Sequence, residues 1–315
     1  MNMQWRGVIP ALTTAFSEDL SLDLRFVEMH SKWLVDNGCT GIVALGSLGE
    51  GATLGPAEKR DILRACVQAV GSRVPVVAGI SALSTRDAVM LAKTAEDTGC
   101  SGLMVLPPYV YVGDWREMKA HVTAVLRATK LPCMLYNNPI AYTVDFVVEQ
   151  VKELVEENEN LHAIKESSAD IRRVTALRTL LGERLQVLVG VDDAIVESSS
   201  VGAVGWIAGL VNALPRESVA LFELAKDGRT QEALNLYRWF LPLLRMDTVP
   251  KFVQLIKLVQ QEVGVGSARV RPPRLELIGT ELDEARGVIS RALATRPREL
   301  SSTAFGEATE AAAIR

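Results

Sequence analysis

Short apolar runs alternate with longer amphipathic stretches along most of the chain. The apolar runs are GVIPAL (7–12), GIVAL (41–45), VPVVAGI (74–80), GLMVLPP (102–108), PCMLYNN (132–138), LHAIKES (161–167), LQVLVG (185–190) and AVGWIAG (203–209). Helix-like stretches lie between them, near 24–37, 56–70, 84–98, 115–129, 144–156, 170–181, 192–201 and 215–227. Helix-start chemistry supports several of these. Thr53 and Pro56 precede the second, Ser84 the third, Asp114 the fourth and Asp170 the sixth. Gly38, Gly71, Gly99 and Gly182 fall near predicted helix ends, where a left-handed residue is expected.

The strand candidates are continuously apolar rather than alternating, as parallel strands buried on both faces read. Eight strands alternating with eight helices predict a (β/α)8 barrel, an α/β TIM-barrel fold. A doubly wound sheet is the competing architecture. It would carry a GxGxxG turn after its first strand, and IPALTTAF is not one. Additional C-terminal helices are predicted at 230–244, 248–264 and 281–295. The expected organisation is a barrel over 1–227, a helical extension over 228–295 and a loose tail over 296–315.

Bulk properties narrow the function. The chain has 315 residues, a formal net charge of −4 and no basic tract, so nucleic acid and anionic membranes are not expected partners. No apolar run reaches the length of a membrane span, and the N-terminus lacks a signal-peptide core, so a cytoplasmic protein is expected. Cys39, Cys66, Cys100 and Cys133 show no CxxC spacing and read as free, mostly buried thiols. His30, His121 and His162 are scattered, which argues against a histidine-built zinc site.

In such barrels the chemistry sits at the C-terminal ends of the strands. The residues placed there are Thr13 and Thr14 after strand 1, and Gly46, Ser47, Leu48, Gly49 and Glu50 after strand 2. Pro107, Pro108, Tyr109 and Tyr111 follow strand 4, and Tyr136, Asn137 and Asn138 end strand 5. Lys165, Glu166, Ser167 and Ser168 end strand 6. Gly190, Asp192 and Asp193 follow strand 7, and Ile207 belongs to strand 8. Lys165 closes the apolar run LHAI, where a lysine should be excluded. Desolvation there disfavours the ammonium form and frees a nucleophilic amine. Its neighbour Glu166 points to the opposite face of the strand and is poorly placed to pair with it. Tyr136 ends the preceding strand beside it, where a phenol can move protons; packing with a satisfied hydroxyl is the bland alternative.

The glycine-rich stretch ALGSLGEGATL (44–54) resists two readings. A phosphate-cradling loop needs a lysine after its last glycine, and none follows. A nucleophile elbow needs GxSxG, but Leu45 stands where the first glycine should be. A tight turn with free backbone N–H groups beside one hydroxyl remains, a geometry that suits a carboxylate, with a plain turn as the alternative.

Taken together, the motifs GVIPALTTAF, GSLGE, YNNP (136–139), IKESS (164–168) and GWIAG (205–209) resemble the dihydrodipicolinate synthase / N-acetylneuraminate lyase family, over about Gly7 to Ala294. The resemblance implies a Schiff-base lyase in which Lys165 attacks the ketone of pyruvate or a related 2-oxo acid. It implies that Tyr136 shuttles protons and that Ser47 hydrogen-bonds to Tyr136. The N–H groups of Ser47 and Leu48 are expected to hold the substrate carboxylate, with Ile207 lining the site through its backbone. Gly190, Tyr109, Tyr111 and Asn138 complete the expected substrate side. No metal or organic cofactor is implied, and a homotetramer built as a dimer of dimers is.

Three departures from the family pattern shape the expected substrate. Leu48 stands where the family often has a hydroxyl residue. Ala141 stands where true synthases carry an arginine for the second substrate, which argues against dihydrodipicolinate synthesis. Val110 stands where a tyrosine is lent to a neighbouring subunit, with Tyr109 and Tyr111 beside it. Retro-aldol cleavage of a sugar acid, dehydration of a 2-keto-3-deoxy acid and deamination of a hydroxylated pyrroline carboxylate all use the same imine. A non-catalytic 2-oxo acid binder is the alternative outside enzymology.

Overall fold

A computed structural model describes residues 3–109 and 111–297. Eight parallel strands form the centre: β1 (Gly7–Pro10), β2 (Ile42–Ala44), β3 (Val76–Ile80), β4 (Gly102–Val105), β5 (Cys133–Asn137), β6 (Leu161–Glu166), β7 (Gln186–Val189) and β8 (Gly205–Ala208). Each pairs with its sequence neighbours, and β1 pairs with β8 in the register Gly7↔Gly205 to Pro10↔Ala208. The bridge Ala11↔Val43 and the bond from Leu12 N to Val43 O join β1 to β2, so the sheet closes into the TIM barrel expected from the apolar runs.

The helices between strands are α1 (Leu24–Asp36), α2 (Pro56–Val70), α3 (Thr85–Asp97), α4 (Trp115–Arg127), α5 (Pro139–Tyr142), α6 (Val148–Glu157), α7 (Arg172–Leu181) and α8 (Ile195–Ser200). After β8 come α9 (Pro215–Lys226), α10 (Thr230–Leu244), α11 (Phe252–Glu262) and α12 (Gly279–Ala294). Ser84 and Asp114 cap α3 and α4 by accepting from Asp87 N and Glu117 N. The second helix is capped at Gly55, whose N–H donates to Glu58 Oε2, rather than at Thr53. Asp170 accepts from Arg172 N at the start of α7. Gly38, Gly99 and Gly182 have positive φ, but Gly71 stays right-handed at φ −62° because its N–H continues the helical bonding to Val67 O.

The predicted fifth helix differs most. It begins at Val148 rather than 144, and a separate short helix, α5, precedes it. Asn138 and Pro139 start α5: the Asn138 side chain accepts from Ala141 N, and proline tolerates the first helical position.

The strands are buried on both faces, and Trp206, Phe146, Phe222 and Phe240 are among the largest fully buried side chains of the core. All four cysteines are free and buried. Among the described residues no helix is long and apolar enough to cross a membrane. Val110 and residues 298–315, most of the expected tail, lie outside the described residues.

Candidate active site

Strand pairing sets the centre of the site. Tyr136 and Lys165 are register partners across β5 and β6, so both side chains fall on the same face. Lys165 Nζ lies 4.2 Å from the centre of the Tyr136 ring. Lys165 is 6% exposed, yet no carboxylate of the described residues comes within ion-pairing distance of its amine. Burial lowers its pKa to about 8, against the opposing pull of the Asp247 and Asp192 carboxylates. Gly190, just beyond β7, makes room for it: a Cβ there would overlap Lys165 Cε and Ser167 Oγ.

Glu166, the neighbour of Lys165, faces away. Its carboxylate accepts from Asn137 Nδ2 (3.1 Å) and from Ser168 N (2.7 Å). Asn137 also donates to Asp145 and accepts from Phe146 N, and Asp145 forms a two-pronged pair with Arg173. These residues fasten the ends of β5 and β6. Asn137, Glu166 and Ser168 therefore serve the scaffold that holds Tyr136 and Lys165.

The phenol of Tyr136 accepts from Asn138 Nδ2 (3.0 Å). Burial raises its pKa, and the nearby Asn138, Ser167 and Ser47 groups pull it back. The bonding of Ser47 departs from the expected link to Tyr136, because the hydrogen-bond partner of Ser47 Oγ is the hydroxyl of Tyr142. The Tyr142 ring stands edge-on to Tyr136 at 5.9 Å and tilted against Tyr109 at 5.7 Å. Tyr109 in turn accepts from Ser81 Oγ (3.1 Å). Three tyrosines thus line the β3–β5 side of the mouth. Sequence reading missed Tyr142, although the Asn138–Pro139 helix start that delivers it was visible.

The glycine-rich loop after β2 turns through Leu45 (φ 66°) and Glu50 (φ 54°). Among the described residues, the N–H groups of Ser47 and Leu48 have no hydrogen-bond acceptor. They are free for an anion. The Leu48 side chain is buried, and Ile207 is buried within β8. Tyr111 is 57% exposed and lies by Glu117, outside this cluster within the single chain.

Two residues named after β1 are tethers. Thr13 Oγ1 donates to Gln260, and Thr14 Oγ1 donates to Gly49 O. Glu50 of the same glycine-rich loop is fully buried and paired with Lys257 of α11 at 2.8 Å. A cavity of about 470 Å³ opens there, bordered by Phe16, Phe26, Gln260 and Arg269. The Lys257 ammonium at its edge is already held by Glu50 and Thr14 O, so this cavity lacks the free amine that marks the barrel mouth.

At the β7–β8 end, Asp192 accepts from Trp206 Nε1 (2.9 Å), Gly209 N (3.1 Å) and Leu210 N (2.7 Å). Burial raises its pKa to about 6 against those donors. A second carboxylate, Asp247, arrives from the turn between α10 and α11. No periodicity or motif could have placed it near a strand end.

The architecture is a (β/α)8 barrel with its ionisable and aromatic groups gathered at the C-terminal ends of the strands, where barrels of this kind carry their chemistry. The chain belongs to the dihydrodipicolinate synthetase family, whose model matches residues 4–292. A 4-hydroxy-tetrahydrodipicolinate synthase of Chelativorans sp. is 33% identical over 76% of this chain and 82% of its own. The synthase of Rhizobium meliloti is 31% identical, over 87% and 93%. The synthase structure from Methylacidiphilum fumariolicum SolV superposes with a TM-score of 0.88 at 30% identity, covering 92% of this chain and 97% of that one. YagE, an E. coli K12 prophage protein of the dihydrodipicolinic acid synthase family solved with pyruvate, superposes with a TM-score of 0.86 at 27% identity, covering 92% and 99%.

Proposed function

We propose that this chain is a class I lyase or aldolase that forms a Schiff base between Lys165 and pyruvate or a related 2-oxo acid. One observation carries the reading: a buried lysine without an ion-pair partner among the described residues, its amine 4.2 Å from the ring of Tyr136. The lowered pKa leaves a large neutral fraction near pH 8, as attack on a ketone requires. The free N–H groups of Ser47 and Leu48 receive the substrate carboxylate. Tyr136 moves protons during imine formation, oriented by Asn138. Ile207 and Gly190 bound the 2-oxo acid, and Tyr109 and Asn138 border the second half of the substrate. The imine then accepts electrons, so a carbanion forms at C3.

The second half of the substrate is a hydroxylated chain. Ala141, at the place of the synthases' arginine, is exposed and offers no charge to an acidic end. Retro-aldol cleavage or dehydration of a hydroxylated 2-oxo acid is the favoured outcome, with deamination of a hydroxylated pyrroline carboxylate as the close relative in mechanism. A homotetramer working in the cytoplasm is the proposed form. The test is borohydride reduction with pyruvate followed by mass spectrometry. A single adduct on Lys165 is expected, and an unmodified protein with every 2-oxo acid tried overturns the reading. Efficient condensation of aspartate semialdehyde would overturn the substrate assignment alone.

A further inference from the structure

The C-terminal helices supply a carboxylate to the mouth of the barrel. Asp247 sits in the short 3-10 turn 245–247 that leads from α10 toward α11. Its side chain rests against the Cα of Gly209, the residue just after β8; a Cβ on Gly209 would overlap Asp247 Oδ1. Gly209 has ordinary right-handed dihedrals (φ −91°, ψ −57°), so glycine is needed there for space and not for backbone freedom. Ile207 lies two residues earlier on the same strand end.

The surroundings separate Asp247 from the other acids. Asp192 is filled by three N–H donors and is fixed as an acceptor. Asp193 pairs with Arg245, the first residue of the same turn, at 3.5 Å. The Asp247 carboxylate has no hydrogen-bond or ion-pair partner among the described residues, although Lys165, Asp192 and Asp193 all act on it electrostatically. Asp247 is half-buried, so its unpartnered carboxylate stays open to a group that enters the mouth. Burial holds its pKa well above the ordinary carboxylate value, against the opposing pull of the Lys165 ammonium.

We infer that Asp247 is the acid–base group that acts at C3 and C4 of the imine-bound substrate, while Tyr136 serves the bond-making at C2. The inference rests on the Schiff-base reading. The Asp247 carboxylate takes the proton from C3, and the C–H electron pair moves through C2 to the iminium nitrogen, giving an enamine. That pair then returns to form C3=C4 as the C4–O bond breaks, and Asp247 passes its proton to the departing oxygen. Water leaves, the carboxylate is restored, and water hydrolyses the unsaturated iminium from Lys165. Its position against Gly209 sets it at the β8 end near Ile207, and its charge acts on both Lys165 and Tyr136.

Pyruvate tests the first half of this sequence without knowledge of the natural substrate. In D2O, NMR reads exchange of its C3 protons, and borohydride trapping reads imine formation separately. Asp247→Asn is expected to keep the Lys165 adduct and slow exchange by about 10²-fold or more, the usual contribution of a general base. Asp247→Glu recovers part of the rate. Gly209→Ala retains the carboxylate but displaces it, and is expected to slow exchange in the same direction; it carries the test if Asp247→Asn fails to fold. A full adduct with exchange indistinguishable from wild type in Asp247→Asn, or in a folded Gly209→Ala where Asp247→Asn does not fold, overturns the inference alone. Absence of any adduct in the wild type overturns the Schiff-base reading and this inference with it.

Discussion

Two buried lysines of this chain meet opposite fates. Lys257 is 2% exposed and Lys165 6%, so burial hardly distinguishes them. Lys257 is held at 2.8 Å by both Glu50 and Thr14 O, and its ammonium also faces the Phe16 ring. Burial lowers its pKa while Glu50 opposes the shift. Lys165 has a tyrosine ring beneath it and carboxylates at longer range, and its pKa falls to about 8. Desolvation is shared; the ion pair is not. A buried lysine becomes a candidate nucleophile when the fold denies it a counter-ion, and a structural clamp when the fold supplies one.

The sharpest break of this comparison is the pair of alanine variants. Lys165→Ala should abolish borohydride trapping with pyruvate altogether while leaving the thermal melt at or above wild type, because no ion pair is lost. Lys257→Ala should do the reverse. Glu50 would remain buried without its partner, at a cost of about 3–5 kcal/mol read by urea denaturation. The double variant Glu50→Gln/Lys257→Met should recover much of that stability.

Next in size is pH. The rate of adduct formation should climb about tenfold per pH unit below 8 and level off above it, as the Lys165 amine loses its proton. Linkage gives the matching sign for stability. The folded chain binds fewer protons at Lys165 than the unfolded chain between pH 8 and 10.5, so the penalty for burying this ammonium is relieved as pH rises through that window. A trapping profile flat from pH 6 to 9 would contradict the assignment.

The smallest expected effect belongs to Tyr142. Its hydroxyl is bonded to Ser47, which also acts on the phenol of Tyr136. Tyr142→Phe removes one such bond, worth about 1 kcal/mol net, and should slow imine formation about fivefold without touching the melt strongly. Stopped-flow or quenched trapping would resolve it.

The fold was legible because each element carried its own signal. Continuous apolar runs marked buried parallel strands, and Ser84 and Asp114 marked helix starts that the structure reproduces. Lys165 and Tyr136 were legible for a related reason: a charged or phenolic residue closing a buried strand is anomalous, and counting along the strand placed both at its end. Glu50 shows the limit. It reads as part of a glycine-rich functional loop, yet its carboxylate is occupied by Lys257 and by the N–H of Arg271, more than two hundred residues away. Asn137 and Ser168 were likewise named with the mouth residues, and both turn out to fasten backbone and side chains around it.

By itself, the sequence determined the barrel, the order of its strands and the identity of the lysine and tyrosine at two adjacent strand ends. Those features depend on residue type and short-range period, which any stretch of chain displays locally. Only the tertiary structure decided which partners those side chains meet. It gave Ser47 to Tyr142, matched Lys257 with Glu50, left Lys165 without a counter-ion among the described residues, and carried Asp247 from the C-terminal helices to the end of β8. Long-range side-chain contacts depend on how helices close over the barrel, and no local pattern encodes that.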